Sequence, residues 1–152
     1  LKTITADNLS QFRKEQIFMS TLESVDELNW DEYDNYAMNY TDEEDFDSLG
    51  QRIALIDSMF EYVFNHPDES VFECWEYFRN SCQERSLSKD VPDNMRRMYM
   101  EYCGILEYIW DMYEENVEAV VDYANDILNK REEEVTNIGE REKERIFTDI
   151  LG

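Results

Sequence analysis

The sequence predicts an all-α fold: a single-domain bundle of about six or seven helices over residues 1–152, with one long helix at about 92–129. Three observations carry this. Apolar residues recur at steps of three and four through most of the chain. Four Gly and two Pro leave room for few turns, which suits long helices with short connections. No stretch alternates at the period of a strand. With 152 residues, 42% apolar content, ten Tyr, eight Phe and three Trp, the chain can fill one core.

A first helix is expected from Ala6 or Asp7 to Leu22, with Leu9, Phe12, Ile17 and Met19 on its apolar face. Trp30, Tyr33, Ala37 and Tyr40 step by three and four, so Asn29 can cap a short helix through Tyr40. Asp31, Glu32 and Asp34 fall in its first turns, where they favour the helix dipole. Thr41-Asp42-Glu43-Glu44 has the form of a capping box. It opens a series, Phe46, Leu49, Ile53, Ile56, Phe60, Val63 and Phe64, that reads as a core-facing helix ending at Asn65-His66-Pro67.

Asp68 or Ser70 should cap the next helix, which carries Val71, Phe72, Trp75, Phe78 and Cys82, and Ser81 to Asp90 reads as a loop of mixed charge. Pro92 sits where a first helical residue belongs. The long helix follows, its apolar face running from Met95 through Tyr99, Ile105, Ile109, Tyr113, Val117 and Val121 to Leu128. Glu115-Asn116 is the place where it could break in two. After a charged tail interrupted at Asn137 and Gly139, a last short helix from Glu140 should dock through Ile146, Phe147, Ile150 and Leu151.

The residues exclude most catalysis. His66 is the single histidine and lies beside a proline at a helix end, which leaves no zinc set of the usual kind and no Glu-x-x-His pair. No glycine-rich phosphate loop and no nucleophile elbow occur. Asp45-Phe46-Asp47-Ser48-Leu49-Gly50 starts like a calcium loop, but Leu49 and Ile56 stand where its fifth and twelfth ligands are required. No catalytic residue, metal or cofactor is therefore expected. Cys74, Cys82 and Cys103 are odd in number and lack metal spacing, so free thiols of a reducing, cytoplasmic compartment are expected. No apolar run is long enough to span a membrane.

What the sequence does carry is charge. The net charge is −23, with 37 Asp and Glu against 14 Lys and Arg, well beyond the roughly 2 to 8 that keeps a small domain soluble. The bases are segregated: Glu15 to Gln51 holds twelve acids and no base in 37 residues, and Glu101 to Asn129 holds no base at all. On the long helix Glu107, Asp111, Glu115, Glu118, Asp122 and Asp126 step by three and four. That sets carboxylates about 6 Å apart in a row extending about 28 Å. Like charges at this spacing repel, and self-repulsion costs stability.

Such a surface repels nucleic acid and anionic membranes and attracts basic proteins. In composition and helicity the chain is similar to phage-encoded DNA-mimic inhibitors of restriction enzymes and CRISPR effectors. The resemblance is one of class, without a shared motif. It implies that the chain occupies the basic channel of a nucleic-acid-binding enzyme. The expected contacts are Asp31, Glu32, Asp34, Asp42, Glu43, Glu44, Asp45 and Asp47 together with Glu107, Asp111, Glu115, Glu118, Asp122 and Asp126. Trp30, Tyr33, Tyr36 and Tyr40 stand beside the first group. Two other readings use the same charge. An immunity or antitoxin protein would neutralise a basic nuclease through one compact patch around Asp42 to Asp47. A scaffold, with Met and aromatic residues enough for a homodimer, would carry the acids as solvation alone.

Overall fold

The computed structural model describes residues 3–26, 49–136, 145 and 150. Among them all regular structure is helical, with no strand: one short 3-10 turn at Ala6–Asn8 and four α-helices. These are α1 (Gln11–Asp26), α2 (Leu49–Asn65), α3 (Val71–Leu87) and the long α4 (Asp93–Thr136). The expected six or seven helices are not reached among the described residues. The short helix expected over Asn29 to Tyr40 and most of that from Glu140 lie outside them. Of the latter, Ile150 is described and is 52% exposed; Ile146, Phe147 and Leu151 lie outside the described residues.

Internal contacts divide the chain into two compact units, Gln11–Asn116 and Leu1–Ser10 with Val117–Gly152. In the first, α1, α2 and α3 pack on one another. Its buried apolar residues are Ile17, Phe18, Leu22 and Val25 of α1, Leu55, Ile56 and Met59 of α2, Val71, Cys74 and Cys82 of α3, and Ile105, Leu106, Tyr108, Ile109 and Tyr113 of α4; Thr21 and Glu101 are buried with them. Phe18 is the centre of a ring cluster. It lies edge-on to Phe72 at 5.4 Å and to Tyr113 at 5.6 Å, and Trp110 stands 5.1 Å from Tyr113. Aromatic pairs at these distances add to the stabilisation from buried area. A second cluster joins α2 to α3, where Tyr62 stacks on His66 at 3.9 Å and on Tyr77 at 5.2 Å.

Helix ends follow local chemistry. Thr5 and Asn8 form a reciprocal cap around the 3-10 turn, and Leu9 is then extended. The first helix is thus split, and α1 begins at Gln11 instead of Ala6 or Asp7. Ser70 caps α3 by accepting a hydrogen bond from the Phe72 amide at 3.2 Å. The α3 helix continues to Leu87, through residues expected to form a loop, because Cys82 is buried and Arg85 reaches the Tyr99 hydroxyl at 3.3 Å. The real connection is Ser88 to Pro92. Pro92 is the cap of α4, not its first helical residue, since its carbonyl accepts from the amides of Met95 at 3.0 Å and Arg96 at 2.9 Å.

The long helix does not break at Glu115-Asn116. Asn116 keeps its side chain away from the helical backbone by donating to Thr21 Oγ1 at 2.8 Å, so the competition that makes asparagine a helix breaker is absent. On α2 the buried face is rotated from the series that ends at Phe64. Leu55 and Met59 are buried beside Ile56, which swings the core face away from Phe64 and leaves it 84% exposed. In the second unit Asn125 pairs with the backbone of Ile4 as a neighbouring strand would. Its Oδ1 accepts from Ile4 N at 2.8 Å and its Nδ2 donates to Ile4 O at 2.9 Å. Val117 of α4 is buried.

Candidate functional site

The acidic row lies on α4. At 100° per residue, Glu107, Asp111, Glu115, Glu118, Asp122 and Asp126 fall within about 100° of helical arc, on the side away from Leu106, Tyr113 and Val117, which are buried. Asp111, Glu115, Glu118, Asp122 and Asp126 are all exposed. The first three residues of the row belong to the Gln11–Asn116 unit, the last three to the other.

Glu107 differs from the rest. Its Oε1 accepts from Arg79 Nε of α3 in an ion pair, with both side chains partly covered. Arg79 in turn lies 5.7 Å over the Trp75 ring, a cation–π placement. Glu107 therefore joins α3 to α4, and its charge is neutralised locally. The spacing that put it in the row could not reveal this, because Arg79 is 28 residues away in sequence. Glu114 lies beside the row on the helix surface and accepts from Trp110 Nε1.

Tyr123 is not singled out by its spacing, yet it is 69% exposed. It lies one turn from Asp126 on the helix surface, so an aromatic ring stands at the edge of the carboxylate row. Spacing gives no signal for it, because Tyr123 lies five full turns along the helix from Ile105, which is buried. The other expected contacts, Asp31, Glu32, Asp34, Asp42, Glu43, Glu44, Asp45 and Asp47, lie outside the described residues. So do Trp30, Tyr33, Tyr36 and Tyr40.

Among the described residues no group of His, Cys, Asp and Glu could hold a metal ion, and no helix is long and apolar enough to cross a membrane. In comparison with known proteins, no family model, no curated protein and no solved structure matches the chain.

Proposed function

We propose that this chain is a non-enzymatic acidic decoy that imitates the charge of nucleic acid. It inhibits a nucleic-acid-binding enzyme, such as a restriction enzyme or a CRISPR effector, by occupying that enzyme's basic channel. The observation that carries the reading is the face of α4 with exposed Glu118, Asp122 and Asp126 and, at its edge, exposed Tyr123. No Lys or Arg occurs on the chain between Arg97 and Lys130. DNA presents a phosphate about every 3.4 Å along each strand. Carboxylates about 6 Å apart on a helix give a sparser field of the same sign, and a phenol offers a flat face and a hydroxyl to the same channel. Fixed charge of this kind steers a basic partner and makes binding salt-dependent.

The test begins with recovery of partners from a host lysate on the immobilised chain. The reading expects a nucleic-acid-binding enzyme whose activity falls as the chain is added. Replacing Glu118, Asp122 and Asp126 with Lys should abolish the inhibition while the helical signal is kept. Tyr123→Ala should weaken it by about 10-fold or more, the loss of an interface anchor. Recovery of a small nuclease toxin would instead make the chain an immunity protein, and recovery of nothing but the chain itself would make it a scaffold.

A further inference from the structure

The contact between α3 and α4 is a ladder whose rungs can be read in order. Trp75 faces Trp110, with ring centroids 4.7 Å apart, and donates from Nε1 to Leu106 O at 2.9 Å. Arg79 pairs with Glu107. Arg85 donates to the Tyr99 hydroxyl and lies 5.3 Å over its ring. The rungs advance up α3 and go back down α4, so the helices run antiparallel in a fixed register. Between the Arg79 and Arg85 rungs, at steps of three and four, the register leaves one place on each helix. They are occupied by Cys82 on α3 and Cys103 on α4. Both thiols are free, Cys82 buried and Cys103 half-buried.

From this register we infer that Cys82 and Cys103 form a disulfide site, closed by a small-molecule disulfide such as oxidised glutathione, and that the bond staples α3 to α4. Cys103 is among the groups that act on the Cys82 thiol, so the two short side chains are neighbours across the contact, where a disulfide needs Cα atoms within about 7 Å. The large rings of Trp75 with Trp110 and of Tyr99 frame the gap and hold the register. Cys74 is excluded. It is 1% exposed, and the groups that act on its thiol are Glu69 and Glu73, not those of α4.

The chemistry is two exchange steps. Cys103, the more accessible thiol, attacks one sulfur of oxidised glutathione as its thiolate. The glutathione S–S bond breaks, and the first glutathione leaves with the electron pair. Cys82 then attacks the Cys103 sulfur, the Cys82–Cys103 bond forms, and the second glutathione leaves. Two protein thiols are oxidised, one disulfide is reduced, and the two protons end on the two glutathione thiols. Burial, and after it Cys103, push the Cys82 thiol up to about 12; burial also raises the Cys103 thiol, but Arg79 beside it acts in the opposite direction. Cys82 is thus a poor first nucleophile, and the order of attack starts at Cys103.

Tryptic mapping of the folded chain decides the matter, because each cysteine lies in a different peptide: Cys74 in 53–79, Cys82 in 80–85 and Cys103 in 98–130. After oxidation by glutathione disulfide and alkylation, peptides 80–85 and 98–130 should be joined. Cys74 should be alkylated, no covalent dimer should form, and the thermal midpoint should rise until dithiothreitol reverses the change. Cys82→Ser should stop at a single glutathione adduct on Cys103. A bond to Cys74, a covalent dimer, or three alkylated thiols after oxidation would each overturn the inference. If Cys82→Ser fails to fold, the map of the unsubstituted chain still gives the answer.

Discussion

Thr21 is the side chain through which α1 holds the middle of α4. It is fully buried, its hydroxyl donates to Ile17 O at 2.7 Å, and it accepts from Asn116 Nδ2 at 2.8 Å. Thr21→Val keeps the shape but leaves the Asn116 amide without that acceptor. A loss of about 1–2 kcal/mol is expected in urea unfolding, and Thr21→Ser should restore most of it. Met59 and Phe64 make a sharper contrast. Met59 is 1% exposed, so Met59→Ala should cost about 2–5 kcal/mol. Phe64→Ser should fall within about 0.5 kcal/mol of the unsubstituted chain, since Phe64 is 84% exposed. Spacing alone places Phe64 in the core, because steps of three and four fit either flank of a helical stripe. The centre of the buried face is decided by Leu55 and Met59, whose neighbours on other helices are invisible in the sequence.

The helices themselves were legible where apolar periodicity was long and a stop was covalent. The end of α2 before Pro67 and the cap of α3 at Ser70 needed nothing from elsewhere in the chain. The C-terminal end of α3 and the continuity of α4 did need it. Arg85 is held by Tyr99, and Asn116 by Thr21, partners far away in sequence. In the candidate site the row was legible as a pattern, while the pairing of Glu107 with Arg79 and the exposure of Tyr123 were not.

The α3–α4 contact also predicts a pH dependence. Desolvation is the main reason the Cys82 thiol is pushed up to about 12 from its ordinary 9.0. The folded chain keeps that proton where the unfolded chain gives it up. Stability from this group is therefore present below pH 9 and is lost as the pH rises from about 9 toward 12. Tyr102 and Tyr113, both raised first by burial, act in the same direction above the ordinary tyrosine value. Chemical unfolding of the reduced chain across this range should show a decline that Cys82→Ser makes shallower; an equal slope in the variant would remove Cys82 as a cause.

For the chain as a whole, charge is the dominant fact. A net charge of −23 on 152 residues repels itself, and salt should relieve that repulsion. Between 0.01 M and 0.1 M NaCl the Debye length shortens from about 30 Å to about 10 Å. The thermal midpoint should rise over this range, whereas a flat or falling midpoint would mean that the acids are already offset within the fold. The same salt should weaken binding to a basic partner, so stability and affinity are expected to move in opposite directions. That opposition separates a functional acidic surface from one that serves solvation alone.

The most direct measurement is a competition between this chain and duplex DNA for a nucleic-acid-binding enzyme recovered with it, with both occupancies read in one titration. The account predicts mutual exclusion: each displaces the other, and a chain with Lys at 118, 122 and 126 displaces no DNA. A ternary complex in which the enzyme holds DNA and the unsubstituted chain together would contradict it.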